Sequence, residues 1–411
     1  MCCLGFSLSC FYRASAAVIA PQLSQDLGLS PSDLGVVSAA FFYAFAVVQI
    51  PLGLVLDRLG SRGPVSLLMI LGAAGAVVFA SAQGMAQAVT GRVLLGVGMS
   101  AAMMGPFTLL ASWFPPNRFA SMAGVLLAVG LSGQMMAATP LALMAQYLGW
   151  RNAFLAIAVG NLLQALAFFL VVRDRPAGVP KPPPGPAGPL KGITWLLRQY
   201  SFWAIGLNGL FRYGAYMALA GLWAGPFMMN ALGYSQVATG NALLGLNLGF
   251  LVSPLILGRL SDEWLTSRKK VILPTIPISI LLVLSLGLWP RGFSQMWGWL
   301  IFFLIGFFSG SGTILFAQMK ELTPAHLRAT AFTGVNLFII IGPAVIIQAA
   351  GLLVPGDPAG LADPANFVSV WNFMAAGMAL AGILYVFCPD SRVAGEPSAA
   401  GSGPKERVSG H

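Results

Sequence analysis

Long apolar runs alternate with short polar or Pro/Gly breaks along the whole chain. Each run is close to the ~20 residues that a helix needs to cross a bilayer core. The pattern predicts spans near residues 3–22, 33–56, 64–83, 88–112, 120–146, 152–172, 200–222, 236–260, 271–289, 296–318, 329–354 and 367–388. One break is much longer. Residues 173–199 are crowded with prolines between Pro176 and Pro189, the composition of a semi-rigid polyproline-type linker. The first run lacks a charged leader and a cleavage site, so it reads as a retained span, with a start upstream of Met1 left open. The expected organisation is a bundle over 1–172, a linker over 173–199, a second bundle over 200–388, and a polar, disordered tail over 389–411. The fold class is an all-α membrane protein: twelve transmembrane helices in two six-helix bundles.

Composition removes the competing classes. Charged residues make up 8% of the chain, against about 25% in an ordinary soluble domain. The hydrophobic share is 57% and the mean hydropathy is +0.81, values that exclude a disordered chain as well as a soluble enzyme. The cysteines Cys2, Cys3, Cys10 and Cys388 form no metal spacing, and the histidines are His326 and His411. No metal or other cofactor is expected. Net charge is +10, and most of the 22 basic residues fall on the side of the membrane that holds both termini. By the positive-inside rule, that side is cytoplasmic. Arg92, Arg151 and Arg291 fall towards the outside, and Arg13 and Arg212 lie within spans. The charge therefore reports topology, and no nucleic-acid partner is needed to explain it. A multi-pass protein of a bacterial inner membrane, competent as a monomer, is the expectation.

The two halves repeat. Leu27, Gly28, Ser30 and Gly35 recur at one offset as Leu232, Gly233, Ser235 and Gly240, and Gly53 and Asp57 recur as Gly258 and Asp262. A parallel repeat of six spans makes the two bundles pseudo-symmetric, as in two-bundle transporters.

Three motifs carry a family resemblance. The loop Gly53-Leu54-Val55-Leu56-Asp57-Arg58-Leu59-Gly60-Ser61-Arg62 resembles the signature loop between spans two and three of the major facilitator superfamily, with its second basic position shifted. The copy in the second half is degraded to Gly258-Arg259-Leu260-Ser261-Asp262. Arg92-Val93-Leu94-Leu95-Gly96-Val97-Gly98 is similar to the superfamily's R-x-x-x-G-x-G motif, and Gly149-Trp150-Arg151 is also familiar there. The resemblance implies gating roles for Gly53, Asp57, Arg58, Arg62, Arg92 and Asp262. Asp57 would latch one conformation by pairing with Arg58 or Arg62 and facing a helix N-terminus. For Arg92, near the outer end of its span, snorkelling to the interface stands beside gating.

The intramembrane arginines point to a substrate. Arg13 and Arg212 lie about 16 Å or more along their helices, near the midplane of a ~30 Å core. A central arginine costs roughly 2.5–3.5 kcal/mol on insertion scales and faces a cavity or a partner. All twelve acids fall in loops, at span ends or in the tail, so a bound anion is the simplest compensation. Hydrogen bonding to helix carbonyls or water is the alternative. The pair, with Arg212 in Leu210-Phe211-Arg212-Tyr213-Gly214, resembles the organophosphate:phosphate antiporter branch of the superfamily, which binds phosphate with such a pair. That resemblance implies Arg13 and Arg212 as the anion-binding pair, with Tyr12 and Tyr213 as neighbouring donors. No intramembrane lysine or histidine completes the branch's pattern, so a carboxylate or another organic anion, even a small peptide, stays open. Tyr43, Gln134, Asn247 and Asn336 are further polar candidates for the cavity wall.

The leading function is a secondary active or facilitative transporter of a small organic anion, an organophosphate or carboxylate, by alternating access. Proton-driven drug efflux predicts a membrane-embedded acid. A non-transporting anion receptor would bind without flux. The partners expected are the anion and the lipid bilayer.

Overall fold

A computed structural model describes residues 1–114, 116–174, 194–324, 327–355 and 361–391. Residues 175–193 of the expected linker, 392–411 of the expected tail and His326 lie outside the described residues, and so does the side chain of Asp57. The described residues are helical, with no strand among them. Ten helices are each long and apolar enough to cross a membrane, and the bent pair Cys2–Ala14 and Ala16–Leu27 makes an eleventh span. The helical run from Tyr200 to Ala231, which carries Arg212 and two π-helical turns, completes two sets of six.

The spans in chain order are Cys2–Leu27, Pro31–Leu59, Arg62–Ala80, Met85–Trp113, Pro116–Leu148 and Trp150–Val171, then Tyr200–Ala231, Gln236–Arg259, Arg268–Ser285, Gln295–Leu322, Arg328–Leu353 and Val368–Val386. The first and seventh run on past the expected ends near 22 and 222. Pro21 and Pro226 are absorbed inside them, the latter between the π-turns Leu219–Trp223 and Phe227–Ala231. Membrane helices tolerate such prolines where neighbouring helices and local adjustments satisfy the freed carbonyls.

The sequence repeat is a structural repeat. Gly28 (φ 64°) and Gly233 (φ 77°) both adopt the left-handed conformation that glycine reaches without Cβ strain. Two residues on, Ser30 and Ser235 cap the second and eighth spans, accepting from the amides of Asp33 and Ala238 at 3.2 and 3.1 Å.

The two bundles meet through symmetry-related pairs of spans: first with seventh, second with eleventh, fifth with eighth. The approach is closest where Gly225 faces the backbone of Ala17. A Cβ there would lie 1.6 Å from the Ala17 carbonyl oxygen. Hydrogen bonds between the bundles lie at mid-span, where Gln134 meets Tyr216 and Asn247, and in the half of the protein that ends at Gly28 and Gly233. Gln236 Nε2 donates to the Val18 carbonyl (3.2 Å), Thr139 pairs with Asn241 (2.8 Å), and Tyr43 donates to Gln348 (2.8 Å). That half is closed, and a cavity lies between the bundles toward the other end.

Candidate functional site

Helix breaks shape this cavity. Span ten breaks at Ser311-Gly312, where the Gly312 amide turns to the Ser309 carbonyl (3.1 Å) and so deserts the carbonyl of Phe308. The Ser311 hydroxyl donates to that carbonyl at 2.7 Å, and Arg212 from span seven adds a second donor. The same Nη2 of Arg212 also reaches the hydroxyls of Thr275 (3.1 Å) and Ser311. One edge of the guanidinium is thereby fixed. Its Nε and Nη1 are buried and donate to nothing among the described residues, although the side chain is only 2% exposed. Arg92 also keeps two donors unspent, so what sets Arg212 apart is its place in the cavity wall, where those donors are next to space that a further partner can fill.

Arg13 enters from the opposite bundle. It stands two residues before Ser15, at the 48° bend of span one, half-buried, with its guanidinium 4.4 Å from the centroid of the Phe45 ring. Arg13 and Arg212 wall one cavity of about 150 Å³. Tyr213 stands beside Arg13 in the same wall. Gln134, Asn336, Ser309 and Thr313 supply the other polar edges, and no acid is among the described residues that line it. The remainder is apolar, with Phe6, Phe42, Phe45, Phe250 and Phe316 prominent.

Three other candidates for the wall lie elsewhere. Tyr12 turns into the first bundle, fully buried against Phe11 and Phe154, because it sits one position round the helix from Arg13. Tyr43 bridges to Gln348 on span eleven and is absent from the cavity wall. Asn247 is consumed in a buried knot across the bundles, where the Tyr216 hydroxyl lies 2.7 Å from Gln134 Oε1 and 2.8 Å from Asn247 Oδ1, with one proton to share between them, and Asn247 donates to the Gln134 backbone (3.2 Å). Tyr43 and Asn247 join the two bundles, and none of the three is in the cavity wall.

Arg92 requires a larger correction. It does not snorkel: it is 1% exposed, inside the first bundle. It donates to the Tyr12 carbonyl at 2.9 Å and lies over Phe41 and Phe79, at 5.1 and 5.9 Å from their ring centroids. It does not line the cavity. The R-x-x-x-G-x-G glycines explain the depth. Gly96 and Gly98 let span four close on the backbones of Phe41 and Gly72, which carries Arg92 inward with them.

The loop motifs also differ from expectation. Arg62 donates to the Phe169 carbonyl (2.6 Å) and stacks on that ring (4.5 Å). The acid at the start of span three is Asp174, which accepts from the amides of Ser61 (2.6 Å) and Arg62 (2.8 Å) and so caps the helix. In the second half Asp390 reproduces this at span nine, accepting from the Ser267 hydroxyl and the Arg268 amide (3.3 Å). Asp262 pairs with Arg268 (2.5 Å), which also holds Glu321 (2.8 Å). A side chain at Gly53 would meet nothing within 4 Å, so no close approach requires that glycine. Arg58 takes part in an interaction of its own near the same loop. The sequence signals for these partners were a Ser-Arg pair opening each third span of a half, and an Asp just past the sixth and twelfth spans.

A family profile described as Major Facilitator Superfamily matches residues 2–347. A probable L-galactonate transporter of Escherichia coli (strain K12) is 27% identical over 56% of this chain and 53% of its own. The hexuronate transporter of Bacillus subtilis (strain 168) is 22% identical over 64% of this chain and 65% of its own. The matched stretch thus spans about half to two thirds of these relatives. A crystal structure of a bacterial homologue of the human lysosomal transporter Spinster, inward-facing and occupied, superposes with a TM-score of 0.75 at 17% identity, covering 94% of this chain and 95% of that one.

Proposed function

We propose, from the premise that this chain belongs to the major facilitator superfamily, that it moves a small organic carboxylate across the membrane by alternating access. The observation that carries the reading is the cavity itself: Arg13 from one bundle and Arg212 from the other share its wall, with no acid beside them among the described residues. The anion supplies the missing charge and takes the unspent donors of Arg212. It also gives the two bundles a reason to close on each other, because it interacts more strongly with both arginines together than with either alone. The named substrates of the two relatives, galactonate and hexuronate, are carboxylates, which favours that class over organophosphates. With the basic loops cytoplasmic, the closed end faces outward and the cavity opens inward.

Proteoliposomes carrying the full chain test this by uptake and counterflow of carboxylates and phosphate esters. Saturable carboxylate flux that is lost in both Arg13→Gln and Arg212→Gln, with the proteins still folded by circular dichroism, is the expected result. Carboxylate flux that survives both substitutions removes the paired-arginine site.

A further inference from the structure

We infer that the transported carboxylate carries an apolar, aryl-sized body, in contrast to the polyhydroxylated acids named for the relatives. The inference rests on the reading that the carboxylate is held between Arg13 and Arg212, and concerns what the rest of the cavity accepts.

Beyond the arginines, the wall is poor in free polar atoms. Gln134 is committed: its Oε1 accepts from Tyr216 and its Nε2 faces the sulfur of Met217 at 3.8 Å. Thr313 donates its hydroxyl proton to the Gly310 carbonyl at 3.0 Å. Tyr213 stands beside Arg13, where the carboxylate is held. Asn336 and Ser309 remain to serve a polar body. A sugar acid presents a hydroxyl on nearly every carbon, and each is both donor and acceptor. Most would be buried against phenylalanines without a partner, at a direct cost in affinity.

The apolar part of the wall has the opposite preference. Phe6, Phe42, Phe45, Phe250 and Phe316 offer faces and edges to a ring. Two of them already pack on other rings, Phe250 stacked on Tyr216 at 4.3 Å and Phe316 tilted against Phe332 at 4.7 Å. Phe45 sits under the Arg13 guanidinium at 4.4 Å, so a ring laid against Phe45 brings its carboxylate to the arginine. The size agrees as well. The cavity holds about 150 Å³, and an apolar cavity of ~150 Å³ takes up a benzene ring.

The test uses the full chain in detergent for binding and in proteoliposomes for counterflow, with benzoate, phenylacetate, gluconate and benzyl alcohol as probes. Benzoate or phenylacetate should half-saturate at least about tenfold below gluconate, and benzyl alcohol should not compete. Phe45→Ser should narrow that ratio. Asn336→Leu, a milder change, should widen it by weakening gluconate further. Gluconate binding as tightly as benzoate, with both lost in Arg13→Gln, overturns the inference and leaves the arginine site standing. Benzoate flux that persists in Arg13→Gln and Arg212→Gln overturns the arginine site and this inference with it.

Discussion

Arg92 and Arg212 solve the same local problem in opposite halves, and only one of them becomes part of a binding site. In each half a helix breaks at a serine: Ser15 in span one, Ser311 in span ten. The carbonyl three residues earlier accepts from that serine's hydroxyl, Tyr12 from Ser15 at 3.1 Å and Phe308 from Ser311 at 2.7 Å. A buried arginine on a neighbouring helix supplies the second donor, Arg92 to Tyr12 and Arg212 to Phe308. The helices exchange roles under the repeat. Span one carries the break and span four the arginine in the first half, whereas span seven carries the arginine and span ten the break in the second. The surroundings separate the two. Arg92 is enclosed by the Phe41 and Phe79 rings, inside its bundle. Arg212 is tied to the hydroxyls of Thr275 and Ser311 and walls the cavity between bundles. An unusual residue type inside a membrane therefore marks a polar backbone defect, and its function depends on which side of the helix holds that defect.

The largest expected effect follows from this difference. Arg212→Gln should reduce carboxylate transport at least about a hundredfold, roughly 2.8 kcal/mol. Arg212→Lys should fall between, since an ammonium cannot serve Phe308, Thr275 and Ser311 while keeping a second edge free. Arg92→Gln should leave the half-saturation concentration within about twofold and instead lower stability by about 1–3 kcal/mol, seen as a lower midpoint of thermal unfolding in detergent. A large rise in half-saturation for Arg92→Gln would erase the distinction drawn between the two sites.

The ends of the bundles give a smaller contrast. In the second half Arg268, with its side chain 8% exposed, joins Asp262 and Glu321, and Glu321 also accepts from Ser391 at 2.5 Å. In the first half Ser61 faces Thr108 at the corresponding junction, and Arg62 leans on Phe169 and its carbonyl. Arg268→Gln removes the guanidinium that Asp262 and Glu321 share and should cost about 1.5–3 kcal/mol. Arg62→Gln loses one hydrogen bond and an exposed cation–π contact, worth about 1 kcal/mol. Equal losses for the two in thermal unfolding would mean that the second-half network adds nothing.

The sequence carried the fold well and the site unevenly, for reasons visible in single residues. Spans are legible because the bilayer demands long apolar runs, and the Gly28-x-Ser30 and Gly233-x-Ser235 pairs are legible because left-handed turns and helix caps accept few residue types. Arg13 and Arg212 stood out because a midplane guanidinium is costly. Arg92 was misplaced because counting residues from a span end gives depth and says nothing of direction: glycines on its own helix let it close on spans two and three, and packing turns the side chain inward. Tyr12 was misassigned in the same way, being adjacent in sequence to Arg13 and rotated to another face in space. The partners Thr275, Ser311, Asp174 and Asp390 lie far along the chain from the groups they meet, so only the folded arrangement brings them to Arg212 and to the starts of spans three and nine.

The smallest test concerns the caps, where the halves are closest to identical. Ser30 takes part in a reciprocal pair: its hydroxyl accepts from the Asp33 amide at 3.2 Å, while the Asp33 carboxylate accepts from the Ser30 amide at 3.0 Å. Ser235 accepts from the Ala238 amide at 3.1 Å, and the residue in the place of Asp33 is Ala238, which returns nothing. Replacing a serine cap by alanine costs about 1 kcal/mol. Ser235→Ala should fall at or below that value. Ser30→Ala should lie a few tenths above it, because the Asp33 carboxylate also loses the Ser30 hydroxyl that donates to it at 2.7 Å. The order of the two unfolding midpoints is the decisive quantity. A larger loss at Ser235 would show that the closed end draws its stability from the eighth span more than the second, and would shift the main hold between bundles toward the contact of spans five and eight.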